Sequence, residues 1–124
     1  MTCYSPQTAL LDYDLPAEYS GEDIDRTSKL VNLQNRCNKV LVYVPTIESA
    51  TVTVLLQRDP HIATVPVALF ILDDDATGSF ASATSATTGD IAVIFDIGAT
   101  QYIRILTGAN QTANRSFTCI GIRD

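Results

Sequence analysis

Ala50-Thr-Val-Thr-Val-Leu-Leu-Gln57 decides the fold class. Val52, Val54 and Leu56 fall on one side of an extended chain, and Thr51, Thr53 and Gln57 on the other. This period of two is the mark of a strand with one buried face, and β-branched residues fill it. Working outward, further strand-length apolar runs appear at Lys29–Gln34, Lys39–Val44, Val65–Leu72, Asp90–Ile97, Tyr102–Thr107 and Ser116–Ile122. The segments between them are rich in Gly, Pro, Asn, Asp, Ser and Thr, the residues that make turns. Nowhere does an apolar repeat of helical period arise. About seven short strands in one chain of 124 residues predict an all-β domain, an antiparallel β-sandwich of jelly-roll or Ig-like type spanning residues 29–124.

The faces of these strands differ. In Tyr102–Thr107, Ile103 and Ile105 share a side opposite Tyr102 and Arg104. Val40–Val44 and Val65–Leu72 are apolar on both sides, which predicts strands covered on each face or one face offered to a partner, and so a homo-oligomer or a chain assembled on a larger body. Asp73–Gly89 is a long tract of small residues, expected to be a loop with a short strand around Phe80 and, by its length, a contact element.

Residues 1–28 read as an acidic N-terminal arm. Asp12, Asp14, Glu18, Glu22, Asp23 and Asp25 are unopposed by Lys or Arg through residue 25, so residues 1–25 carry the whole net charge of −6 and residues 26–124 are neutral. A neutral body with an acidic arm lacks the basic patch that binds phosphates, which argues against nucleic acid as a partner. Tyr4, Leu11, Tyr13, Leu15 and Tyr19 punctuate the arm, a composition suited to docking on the chain's own body or on a neighbour, with Asp23 and Asp25 among the acids that select basic patches. No run of about 20 apolar residues offers a membrane helix, and no cationic, apolar leader begins the chain.

Catalytic and metal chemistry find little footing. His61, in Arg-Asp-Pro-His-Ile, is the single histidine and reads as a turn residue, since no nucleophile setting accompanies it. Cys3, Cys37 and Cys119 form no metal pattern; an odd number fits a reducing compartment, with a Cys37–Cys119 bridge left open by the spacing. Asp73, Asp74 and Asp75 with Thr77 offer oxygens to a hard cation, but their spacing is not that of an EF-hand, and they read as an exposed turn and a contact loop together with Phe80. Asp90 and Asp96 lie about 20 Å apart along one strand, too far for a glycosidase pair. The sequons at Asn110 and Asn114 lie in a polar turn. The residues thus predict a protein that is not an enzyme and has no cofactor.

The segment from Asp96 to Gly121, with Tyr102-Ile-Arg-Ile105, a Gly/Ala/Asn/Thr-rich turn and a last strand carrying Phe117, resembles the closing hairpin of small β-sandwich structural proteins of tailed bacteriophages. Val42-Tyr-Val-Pro-Thr46 and the strand at Ala50 are similar to the same group, so the resemblance spans residues 39–122. It implies a virion component assembled in the host cytoplasm, of capsid decoration or cement type, whose partner is the major capsid protein or another virion protein. Two other readings stay open: a carbohydrate-binding module using the Tyr102–Arg104 face, and a tail or head-fibre adhesion module.

Overall fold

A computed structural model describes the chain apart from residues 14, 15, 35, 49, 62, 69, 73–79, 83, 88, 89 and 99, and apart from the side chains of 50, 70–72, 80–82 and 84–87. Its strands are β1 (Thr2–Cys3), β2 (Gln7–Leu11), β3 (Val31–Asn32), β4 (Lys39–Val44), β5 (Ala50–Gln57), β6 (Val67–Ala68), β7 (Phe70–Leu72), β8 (Phe80–Ser82), β9 (Thr84–Thr87), β10 (Ile91–Asp96), β11 (Tyr102–Thr107) and β12 (Arg115–Arg123). Sheet A runs β1/β2, β12, β4, β10, and sheet B runs β3, β11, β5, β6/β9, with every pairing antiparallel.

The edge strand beside β5 is broken in two. Val67 and Ala68 oppose Leu56 and Leu55, and Thr84 resumes opposite Thr53 in the same direction. Between the two halves the chain turns out as the hairpin β7–β8. Counting β1 with β2 and β6 with β9 as single strands, and setting the hairpin β7–β8 aside, leaves eight principal strands; sheet A holds the first, eighth, third and sixth while sheet B holds the second, seventh, fourth and fifth. That order is the double Greek key of a jelly roll, which settles the choice between jelly-roll and Ig-like sandwiches.

The alternation in the sequence is what closes the two layers. Val40, Val42, Val44, Phe117 and Cys119 of sheet A face Val52, Val54, Ile103 and Ile105 of sheet B, all buried. Phe95 and Ile97 close the end near β10, and Val31, Leu33, Cys37 and Ile47 fill in from the connections. Gly121 is required by this packing. A Cβ there would collide with the Cys37 sulfur, so the last strand passes the Cys37 loop only as glycine.

β4, β5 and β11 run as the sequence predicts, while other boundaries move. Lys29–Gln34 shortens to β3, because Gln34 takes a left-handed φ of 61° that ends pairing. Val65–Leu72 is two strands rather than one; within Asp73–Gly89 the short strand expected around Phe80 is β8, whereas β9 is strand where the sequence predicts loop.

The N-terminal segment is part of the sandwich. β2 pairs with β12 from Leu11↔Arg115 to Gln7↔Cys119, and β1 continues along the same edge. Ala9 and Leu11 are fully buried in the core. A first principal strand of the jelly roll therefore lies within residues 1–28.

Candidate functional site

After β2 the chain crosses to the outer face of sheet B and straps it. Arg104 projects from β11 away from the core, opposite in sense to Ile103 and Ile105, yet its side chain is 0% exposed. Its guanidinium donates to Glu18 Oε1 at 2.8 Å, to Gln57 Oε1 at 3.0 Å and to the Ser28 carbonyl at 3.3 Å. The Glu22 carboxylate lies 3.9 Å away, and the Tyr19 ring centroid 5.1 Å away. A buried guanidinium is tolerable only with such partners, since an unpaired one would lose its hydration without return. Burial raises the Tyr19 phenol above its ordinary pKa, with Thr27 and Arg104 pulling the other way and Glu22 adding to the rise.

The strap is pinned along its length. Thr107 N donates to the Arg26 carbonyl at 2.8 Å, Gln111 N to the Asp25 carbonyl at 2.9 Å, and Ser28 N to the Ile105 carbonyl at 2.8 Å. Asp23 pairs with Arg26 at 3.2 Å. A cavity of about 120 Å³ opens among Asp12, Glu18, Glu22, Thr27 and Lys29. That is well below the few hundred Å³ of a cofactor or sugar site, and two of its carboxylates, Glu18 and Glu22, already face Arg104. Among the described residues no cluster of His, Cys, Asp and Glu could hold a metal ion.

The residues singled out in the arm thus meet the chain's own body. Tyr4 packs on the core edge with Arg36 over its ring at 4.3 Å, Leu11 is in the core, and Tyr13 packs against it. Tyr19, Asp23 and Asp25 belong to the strap, whereas Leu15 lies outside the described residues. In the loop set, Asp73, Asp74 and Asp75 also lie outside them, and Phe80 opens β8. The Tyr102–Arg104 face, offered above to a sugar, is closed at Arg104 by the strap. His61 sits in a turn, where its amide donates to Asp59 Oδ1 at 2.9 Å and Thr64 Oγ1 to the same oxygen at 2.8 Å.

Sheet A presents the opposite picture. Its ladder sets Thr118 beside Tyr43 and Tyr43 beside Ala92, then Ile120 beside Leu41 and Leu41 beside Ile94. These side chains all point away from the core. Tyr43 is 48% exposed and Ile94 59%, with Ala92 and Ser116 exposed and Leu41, Thr118 and Ile120 half-buried. Charge stands at the rims: at one end Lys39 bonds Asp124 at 2.9 Å and Asp96 lies opposite Lys39. A shallow depression between Tyr43, Ile91, Ala92, Ser116 and Thr118 completes the face, with Asp90 at its rim. An uncharged apolar sheet face of this kind has the chemistry of a contact surface. The two-sided apolar character of Val40–Val44 signals it in the sequence; the shares of Ile94 and Ile120 depend on register and stay hidden there.

No family model matches the chain, and no curated protein does. Among solved structures the comparison gives one clear likeness. The chain is similar in fold to the SPBc2 prophage-derived protein YomS. The superposition covers 95% of each chain with a TM-score of 0.50 and 12% sequence identity. At that identity YomS speaks for the shared architecture alone. Among the described residues no helix is long and apolar enough to cross a membrane.

Proposed function

We propose that this chain is a non-catalytic structural protein of a tailed-phage particle, a capsid decoration or cement protein that seats the outer face of sheet A on the major capsid protein or another virion protein. The observation that carries the reading is the contrast between the two outer faces: sheet B is closed by the acidic strap, and sheet A, among the described residues, is left apolar and uncovered. Jelly rolls serve as viral capsid and lectin domains, and the likeness to a prophage-derived protein agrees with the first of these. Closure of the Tyr102–Arg104 face weighs against the carbohydrate-binding alternative. In this reading Tyr4, Tyr13 and Tyr19 hold the N-terminal segment to the body, and contact with the particle falls to Leu41, Tyr43, Ala92, Ile94 and Ile120. Mass spectrometry of gradient-purified particles tests it. The chain is expected there at a fixed ratio to the major capsid protein, and particles that contain none of it refute the role.

A further inference from the structure

A jelly roll has four sheet edges, and this one blunts three of them. The β1/β2 edge is broken between Cys3 and Gln7, where Pro6 cannot donate. β3 has two residues and stops at the left-handed Gln34. The β6/β9 edge is interrupted by the β7–β8 excursion. β10 is different: six continuous residues, Ile91–Asp96, with no proline, lysine or bulge, paired with β4 alone. Natural sheets seldom leave such an edge unguarded unless something pairs with it.

The free hydrogen-bonding groups can be assigned. Ile97 N donates to the Asn38 carbonyl at 3.0 Å, continuing the register in which Asp96 opposes Lys39. In an antiparallel ladder the inward-bonding residues alternate, so Phe95, Val93 and Ile91 bond toward β4. The amides and carbonyls of Ala92, Ile94 and Asp96 therefore point to the open side, and among the described residues nothing meets them.

We infer that β10 pairs antiparallel with β10 of a second copy about a twofold axis at Ile94. Three observations select this occupant and register. Parity demands that even-numbered residues meet even-numbered ones across the new ladder. Centring on Val93 would set Asp96 opposite the second copy's Asp90, two like charges face to face, whereas centring on Ile94 sets Asp96 opposite Ala92. The Ile94 register also joins the apolar row Ile120, Leu41, Ile94 to the same row of the second copy, so the bare face becomes continuous across both sheets. Finally, Glu18 and Glu22 are engaged by Arg104 on the outer face of sheet B, on the far layer from the face this pairing extends, so they do not meet their copies across the new seam. This pairing stands whether or not the face seats on a particle.

Sedimentation velocity and disulfide trapping test it in the full chain. Wild-type protein is expected to sediment as a dimer, and Ile94→Lys as a monomer with an unchanged circular-dichroism spectrum, since that side chain is more than half exposed. In a Cys3→Ser background, Ile94→Cys should form a covalent dimer under mild oxidation, because directly opposed hydrogen-bonded residues sit about 5.5 Å apart, within disulfide reach. Ile91→Cys, displaced from the axis, should not. A wild-type chain that stays monomeric at every concentration, an Ile94→Lys dimer as tight as wild type, or trapping at Ile91 and not at Ile94 would overturn the inference. Absence from particles would refute the proposed role and leave these results untouched.

Discussion

Arg104 is a fully buried guanidinium held by Glu18, Gln57 and the Ser28 carbonyl, and its substitution separates two kinds of loss. Arg104→Ala leaves the nearly buried Glu22 carboxylate and the partly buried Glu18 without their cation, a change expected to cost about 3–5 kcal/mol. Combining Arg104→Met with Glu18→Gln and Glu22→Gln should recover much of that, because the unpaired charges go with the guanidinium. Urea titration of the variants reads both. At Gly121 the expected effect is steric: Gly121→Ala destabilises by colliding with the Cys37 sulfur, and adding Cys37→Ala relieves part of the loss, a coupling that a double-mutant cycle measures. Cys119 is fully buried, and burial pushes its thiol up to about 12 from 9.0. Because the folded pKa is the higher one, the unfolded chain sheds this proton first as pH rises. Its contribution to stability is therefore whole below about pH 9 and drains away toward about pH 12, and Tyr19, raised in the same sense, adds to the alkaline loss. Cys119→Ala should flatten that slope in stability measured across the alkaline range. Cysteine-reactive dye should label exposed Cys3 in the native protein, and Cys37 and Cys119, both buried and unpaired, only in denaturant.

At the scale of elements, the sequence is legible where one face is wet and one dry. β5 and β11 could be bounded to the residue because their alternation and flanking turns agree, and β4, apolar on both faces, by its flanking turns alone. β2 was hidden by its setting: Gln7-Thr-Ala-Leu-Leu11 is short, follows Pro6 and precedes an acidic run, so it reads as arm. Its strand character comes from β12, whose nine residues offer it an edge, and no local pattern reports that pairing. Likewise, the small Thr and Ser residues of Thr84–Thr87 are held as strand by β5. Arg104 was read as wet because its parity is opposite to Ile103, which is right about direction; what covers it, the strap, is a tertiary fact. These pairings predict that removing residues 1–11 does more than shorten an arm. It strips Ala9 and Leu11 from the core, and Leu11→Ala alone should cost about 2–5 kcal/mol in thermal or urea unfolding.

Across the whole molecule the two outer faces divide the work. Glu18 and Glu22 of the acidic segment help close sheet B over Arg104, while the outer face of sheet A presents Leu41, Tyr43, Ala92 and Ile94. Of the candidate site, the two-sided grease of Val40–Val44 could be read in advance, while the entry of Ala9 and Leu11 into the core and the pairing of Glu18 with Arg104 could not, because both depend on partners distant in sequence. The most direct test of this division is co-sedimentation of the purified chain with phage particles lacking it, comparing wild type with Tyr43→Glu, a substitution at a half-exposed position on sheet A. Wild type should pellet with the particles to a saturating ratio while Tyr43→Glu, folded by circular dichroism, stays in the supernatant. Equal pelleting of the two proteins, or a wild-type chain that never pellets, would contradict the account.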